Sequence, residues 1–564
     1  MKHLPTGRWL GPVALTIALG CAAVAAAEPP PSIGTTIREI EQKRPAVPPK
    51  SDPSLQVDST RHALAASAGA TFRVSSVRIS GATAFSDLEL LPLVAGIAGR
   101  DVSLADLEAA AARITQFYRA NGFPVARAYV PAQKIDAGSV EIAVLEGRYG
   151  KLDVRNDSRL SDSIIRDTLR APAADHVIET APLDRDLLLL KDLAGASVTA
   201  TLTPGEAVGT SNLVVDLAST SMLSGTLEAD NFGNKYTGEL RYGGSVAAAN
   251  LAGRGDVLTV RGLISEESGL WYGRAAYQIP IAGNGLLAGG AVSHTYYSLG
   301  EKFDALNADG DANIYTLFLR YPVLRSTRAN LDVQTAFNYY DLEDDVGAAN
   351  TVDPRWLRSA TLSVSGNVRD DWFGGAINAA TLSFGNGTVQ LRDDVAETID
   401  RATAQTKGNF DTILYSLLRL QNVTDSLQLY LAVQGQYASK NLDPSQKFVL
   451  GGPNAVRAYA QGSGVGDDGV LGTAELRYTL APRGWLTRPQ VFAFFDGGSI
   501  HVNADPYLPT ENHVDLYGAG VGVNLDTVFG LSVRGSVAWR VGSDPAVDSS
   551  DSSSRGWLQI VKTL

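Results

Sequence analysis

From Ser219 to Leu564 the chain alternates polar and apolar side chains with a period of two, segment after segment. In Leu331–Tyr340 one face is Leu331, Val333, Thr335, Phe337 and Tyr339, and the other is Asp332, Gln334, Ala336, Asn338 and Tyr340. Leu427–Tyr437 sets Leu427, Leu429, Leu431, Val433, Gly435 and Tyr437 against Gln428, Tyr430, Gln434 and Gln436. Leu531–Val541 sets Leu531, Val533, Val537, Trp539 and Val541 against Ser532, Arg534, Ser536 and Arg540. Neighbouring side chains on a strand point to opposite faces, so each segment predicts a strand with one apolar and one polar side. A soluble sandwich alternates too. Here the polar faces repeat Gln and Arg, and the apolar faces end in Tyr or Trp, which suits a wet lumen and an aromatic girdle. Roughly 345 residues can supply sixteen antiparallel strands of ~10 residues with their turns. An even number closes the sheet and leaves no edge in a bilayer.

Before residue 219 the pattern differs. Phe72–Arg148 predicts strand, helix, helix, strand, strand. Phe72–Ser80 alternates and stops at Gly81, while Ser86-Asp87-Leu88-Glu89 and Ser103-Leu104-Ala105-Asp106 are N-cap signatures. The second opens a helix with Leu104, Leu107, Ala111, Ile114 and Tyr118 on one face, ended by Asn121-Gly122. Val125–Val130 and Ser139–Leu145 read as strands. The same order returns in Gly150–Leu217: strand Lys151–Arg155, helices Asp162–Leu169 and Leu183–Leu193, strands Ser197–Thr203 and Leu213–Leu217. This is a repeat of architecture at about 70–75 residues, not of sequence. Each module is a small three-stranded sheet backed by two helices, and its open edge can take a strand from a partner.

Met1–Ala27 reads as a secretory leader, with Lys2 and Arg8, an apolar Leu10–Val24 core and Ala25-Ala26-Ala27 before the cut. Cys21, the one cysteine, lies inside it, so no disulfide is expected in the mature chain. Residues 28–70 form a Pro-, Ser- and Ala-rich linker. Within it Thr35–Arg44, stopped by Pro45, predicts a short helix with a threonine N-cap, an acid in its first turn and bases in its last. About ten residues are too few to stay helical alone in water, so this helix needs a surface or a cavity.

Composition changes the picture in two ways. Mean hydropathy is -0.01 and no uninterrupted apolar run of ~18 residues follows residue 30, so the mature chain holds no membrane helix. The net charge of -12 argues against nucleic acid.

Candidate chemistry is sparse. Phe448–Gly472 is a long Gly- and Asp-rich loop between alternating segments, with Arg457 near its middle. Asp496 stands in the apolar strand Phe492–Gly498. On spacing alone they are either an exposed charge and a lumen-lining acid, or a pair. An inward Asp496 brings Phe492 and Phe494 inward with it. Gly462–Gly466 lacks the helix of a phosphate loop. Asn307, Asp309, Asp311 and Asn313 have calcium-loop spacing without the required glycine or distal acid, and read as a solvated loop. Ser293 and Ser298 beside His294 are the thin candidates for a nucleophile–base pair. No catalytic residue, metal site or cofactor is expected.

Several strings carry a family resemblance. Tyr118–Phe123, Ala128–Gln133 and Val144-Leu145-Glu146-Gly147-Arg148 look like the first POTRA domain of the TpsB transporters of two-partner secretion. The next segment is similar to their second POTRA domain. Asp230-Asn231-Phe232-Gly233 with Tyr236-Thr237-Gly238 resembles the opening barrel strands of that family. Tyr277–Ile281 and Tyr297–Gly300 resemble the following hairpins.

The resemblance implies two periplasmic α/β POTRA domains (71–148 and 149–218) and a sixteen-stranded transmembrane β-barrel (219–564) in the outer membrane of a Gram-negative bacterium. It implies export of a β-helical exoprotein, an adhesin or haemolysin, without ATP, with the barrel-assembly machinery and membrane lipid as further partners. The Thr35–Arg44 helix, with Ile37, Ile40 and Arg44, is similar to the family's plug helix. Gly451, Gly452, Val456, Arg457 and Tyr459 resemble its inward-folded loop, and Asp496 its partner strand, so the resemblance implies an ion pair inside the barrel. Ala458 stands where the family has glycine. The chain ends in Leu564 rather than Phe, with Lys562 on the apolar phase of Leu558 and Ile560. An assembly factor of the same superfamily is the near alternative. A porin or an outer-membrane enzyme is the distant one.

Overall fold

The computed structural model describes residues 30–57, 71–173, 175–542 and 552–564. The leader expected at Met1–Ala27 and the 58–70 part of the linker lie outside the described residues.

In the first module Ser76–Ser80, Ser139–Leu145 and Arg127–Tyr129 lie side by side in that order, the first pair parallel and the second antiparallel. Helices Asp87–Val94 and Leu104–Ala120 cover them, and Ser86 and Ser103 close capping boxes with Glu89 and Asp106. Leu107, Ala110, Ala111, Ile114 and Tyr118 form the buried stripe. Leu104 does not join it: at the first helical position it lies outside the core cluster and is exposed. Glu146 organises the corner of the module. It accepts the N–H groups of Thr83 (2.5 Å) and Ala84 (2.7 Å), the Tyr118 hydroxyl (3.0 Å) and the Thr83 hydroxyl. Burial works to raise its pKa, but these bonds outweigh burial and hold the carboxyl below its ordinary value. Burial, then the bond to Glu146, pushes the Tyr118 hydroxyl up.

The second module repeats this topology with Arg148–Asp157, Thr210–Ser219 and Ala196–Pro204, backed by Asp162–Thr168 and Thr180–Lys191. Its sheet has a fourth strand. Leu55–Val57, in the stretch expected to be plain linker, pairs parallel with Ala200–Leu202. The edge expected to be open is therefore partly occupied.

Sixteen antiparallel strands then close a barrel, from Leu223–Asp230 to Ser554–Thr563, which pair with each other at the seam. The alternating faces separate as the pattern dictates. Phe337, Leu431, Tyr437, Val537 and Trp539 face outward and are exposed, while Tyr430 and Gln436 face inward and are buried. One expectation changes and one holds. Asp309, Asp311 and Asn313 belong to the long strand Ala308–Arg325, not to a solvated loop, because they pair with Asp345, Glu343 and Asp341 in turn on the next strand. Lys562 keeps its outward phase, and its ammonium reaches the Phe529 carbonyl in a turn at the barrel end nearest the modules. Its aliphatic stem can then lie on the apolar surface while its charge leaves it.

Candidate functional site

The loop between strands Leu427–Ala438 and Asp468–Thr479 turns back into the barrel. Its core residues Leu450, Ala455, Val456, Ala458 and Tyr459 pack on the inward wall residues Leu471, Phe494, Ile500, Leu516 and Ala538. The double glycine makes the fold-back possible. Gly452 has φ +130°, and a Cβ on Gly451 would stand 2.7 Å from the Ala460 carbonyl oxygen. Val456 donates its N–H to Leu450, closing the tip. The backbone at Ala458 does not enter the left-handed region, so alanine is accommodated where the family pattern has glycine.

Arg457 and Asp496 meet. Arg457 Nε lies 2.7 Å from Asp496 Oδ2 and Nη2 lies 2.8 Å from Oδ1, with the Arg457 backbone N–H also donating to Oδ2 at 3.2 Å. Thr473 donates its hydroxyl to Oδ1, and Trp557 donates its indole N–H to the Arg457 carbonyl. The guanidinium carbon sits 3.2 Å from the Phe494 ring centroid. Arg457 and Asp496 are 2% and 0% exposed, so water does not screen the pair. An exposed pair is worth ~0–1 kcal/mol. Removing one partner of a buried pair costs about 3–5 kcal/mol, because the other charge is left uncompensated.

Glu475, absent from the sequence reading, completes the cluster. Its Oε1 accepts from Arg457 Nη1 (2.8 Å) and Arg44 Nη1 (3.0 Å), and its Oε2 from Arg477. The signal was there: Thr473, Glu475 and Arg477 share the inward phase of one strand, and Thr473 stands directly across from Asp496.

Arg44 arrives from the N-terminal helix. That helix spans Ile33–Glu41, not 35–44. Ser32 is the N-cap and Thr35 completes the capping box, so the threonine acts three residues inside the helix, and the first turn holds no acid. Ile33, Ile37 and Ile40 face the inner wall at Leu263, Tyr272, Ile314 and Leu342. The opposite face turns to the loop: Arg38 Nε donates to the Lys447 carbonyl and Gln42 Nε2 to that of Val449. The Ile33 N–H at the helix start donates to Asp344, which Arg355 grips at 2.8 Å. The same Arg355 binds Asp443, at the root of the loop, at 2.7 Å. No feature of the sequence reading singled out Arg355, Asp344 or Asp443.

The opening motif lies at the seam. Asp230 forms a bidentate pair with Arg241. Asn231 extends the closure past the last ladder pair, donating to Gly556 and accepting from the Leu558 N–H. Gly233 sits so close to Gly238 that a Cβ would stand 1.9 Å from its carbonyl oxygen. Ser293 and His294 point to opposite faces of one strand, Ser293 inward and His294 outward over Trp271, so they form no nucleophile–base pair.

Comparison with known proteins places the chain in a family. The family described as haemolysin secretion/activation protein ShlB/FhaC/HecB matches residues 209–525, and the ShlB-type POTRA domain matches residues 72–147. The heme/hemopexin transporter protein HuxB of Haemophilus influenzae (strain 86-028NP) is 27% identical over 545 residues, covering 95% of each chain. The outer membrane transporter CdiB of Dickeya dadantii (strain 3937) is 23% identical over 498 residues, 84% of this chain and 83% of that one. The solved structure of CdiB from Escherichia coli superposes with a TM-score of 0.70 at 19% identity, covering 90% of this chain and 93% of that one.

Proposed function

The chain belongs to the haemolysin secretion/activation protein family, and from that premise we propose that it exports one large β-helical exoprotein through a barrel whose helix and loop act as a removable gate. It is an outer-membrane β-barrel protein transporter with its POTRA modules on the periplasmic side. The observation that carries the gate reading is the filling of the bore. A nine-residue helix and a folded-back loop sit in it, and Arg44, just after the helix, and Arg457, in the loop, both reach Glu475. Arg44 supports a reversible seat, since its buried Nε and Nη2 have no protein acceptor.

In this reading the POTRA sheet edges capture an extended segment of the exoprotein, as unpaired strands do. The helix leaves, the exoprotein threads the barrel as an extended hairpin, and its folding outside supplies the free energy. No reaction is catalysed and no cofactor takes part. The barrel-assembly machinery is a partner during biogenesis, when the seam between Leu223–Asp230 and Ser554–Thr563 closes.

The test is co-expression, in a Gram-negative host, with a large repetitive exoprotein from a neighbouring reading frame of the source genome, where one is found. The exoprotein should reach the surface or medium only when this chain is present, and accumulate in the periplasm otherwise. Equal release without the chain would overturn the reading.

A further inference from the structure

Five neighbouring strands form a groove on the lipid-facing side of the barrel: Leu270–Pro280, Leu287–Ser298, Ala308–Arg325, Ala329–Val346 and Thr351–Asp370. Their cross-strand pairs set Ala275, Val292, Tyr315, Tyr339 and Arg358 in one outward row. The turn after Pro280 touches the second module through Arg185 and the Asn284 carbonyl, so the periplasmic direction along each strand is fixed. One row towards the modules lie Tyr277, Gly290, Leu317 and Phe337, and Leu317 is 66% exposed. One row the other way lie His294, Asn313, Asp341 and Trp356, followed by Asp311 opposite Glu343. The apolar surface therefore ends at the row of Tyr315, Tyr339 and Arg358, where an aromatic girdle meets the headgroups of the outer leaflet.

Small residues hollow this surface. Ala275, Ala288 and Gly290 floor a groove of about 670 Å³ between Tyr277, Tyr315 and Phe337, within the ~300–1,000 Å³ of ligand sites. Tyr339 closes its outer end and also carries Arg358. The guanidinium carbon lies 5.8 Å from the Tyr339 ring centroid and 4.5 Å from that of Trp356, and those two rings stack 6.5 Å apart. Arg358 is exposed, and among the described residues no acid lies within ion-pair distance of it. Asp341, directly opposite Trp356, is already bound by Arg392. A cation on the lipid side of a barrel is unfavourable unless an anion meets it.

We propose that this wall binds a phosphorylated, acylated glycolipid of the outer leaflet, with its phosphate on Arg358 and one acyl chain in the groove over Ala275 and Gly290. The guanidinium fork matches a phosphate at two points. The ring faces of Tyr339 and Trp356 beside it offer apolar area to a sugar. Direction selects the leaflet: from Arg358 the groove runs towards the modules, as a chain descending from the outer leaflet must. A lipid of the inner leaflet would place its head at the opposite end. The chain's net charge of -12 makes this unpaired cation a selective place for an anion, not part of a basic surface.

The test uses the full-length protein, stripped of lipid in detergent, with diphosphorylated lipid A as the probe and native mass spectrometry as the readout. The native chain should hold a single lipid A and bind the dephosphorylated form about tenfold more weakly, as loss of a charged hydrogen-bonded contact requires. Arg358→Ala should bind lipid A about tenfold more weakly and lose the preference for phosphate. Ala275→Phe fills the groove with an apolar side chain at a lipid-facing position and should weaken both forms alike. Heat-modifiability gels verify that each variant is a folded barrel. Native-like binding by Arg358→Ala would overturn the head site, and native-like binding by Ala275→Phe would overturn the groove. Phosphatidylglycerol binding as tightly as lipid A would overturn the choice of a glycolipid. A dimer that Ala275→Phe dissolves would make the groove an interface between copies and overturn the proposal. No exoprotein is present, so failure here leaves the secretory reading standing, and failure of secretion in cells leaves this one standing.

Discussion

Arg44 and Arg457 donate to the same oxygen, Glu475 Oε1, at 3.0 and 2.8 Å. One residue follows the gate helix and the other tips the folded-back loop. A single carboxylate on the wall therefore holds both, and Asp496 holds only the second. Whatever loosens the loop's grip on Glu475 changes the field in which Arg44 sits.

Glu475→Gln should open the bore without removing the barrel. The substitution leaves Arg44, Arg457 and Arg477 facing Asp496 as their one buried acid. Breaking such a buried charge pair costs about 3–5 kcal/mol, which is more than a short docked helix can spare. The variant should migrate as a folded barrel in heat-modifiability gels yet show several-fold more open time in planar bilayers. Bilayer traces like those of the native chain would remove Glu475 from the gate.

Arg457→Ala should abolish most secretion while the barrel stays inserted. Its loss unpairs Asp496, which is fully buried, and withdraws the cation from the Phe494 face. Arg457→Lys should rescue only partly, because lysine cannot reproduce the two-point bond to Asp496. Exoprotein in the medium, normalised to inserted barrel, is the measure; full secretion by the alanine variant would show that the pair is dispensable.

The wall of this barrel was legible because alternation is a local property. Leu427–Ala438 and Leu531–Arg540 declare their two faces in a dozen residues or fewer. Arg457 and Asp496 were legible as charges in the wrong company, a cation in a glycine-rich loop and an acid among phenylalanines. Glu475 was legible only as one inward acid on its strand, since its role depends on Arg44, which reaches it from 431 residues earlier. Arg355 escaped for the same reason: its partners Asp344 and Asp443 come from another strand and from a loop. The helix start moved from Thr35 to Ser32 because either hydroxyl can cap, and burial of Ile33 against the wall decided between them. A three-residue strand such as Leu55–Val57 is too short to show a period at all.

Gly34→Val should unseat the helix by shape alone. A Cβ at Gly34 would stand 2.4 Å from the Ser445 backbone nitrogen and 2.8 Å from the Pro444 carbonyl carbon. Backbone cannot yield as a flexible side chain does, so the helix must withdraw from the loop. Conductance should rise to that of a chain lacking residues 28–44, while Gly34→Ala, with the smallest Cβ, should show a smaller rise. Unchanged conductance in the deletion itself would sink the plug role altogether.

Glu146 makes the first module sensitive to acid. Its folded pKa lies below the ordinary value of 4.5, so its stabilisation is fully present above that value and is lost as pH falls through the lowered one. Tyr118 sets the opposite limit. Its hydroxyl is raised above the ordinary value of 10.0, so its contribution is full below that value and is lost as pH rises through the raised one. Glu146→Gln keeps the shape and removes the charge that strengthens four hydrogen bonds, a loss of about 1.5–3 kcal/mol. Hydrogen exchange on the full-length protein should then show amide protection at residues 81–85 reduced by roughly ten- to a hundred-fold at neutral pH. At acid pH the native chain protonates Glu146 and should fall towards the variant, so the difference between them shrinks. A gap that stays constant down through the carboxylate range would mean that Glu146 acts by packing and not by charge.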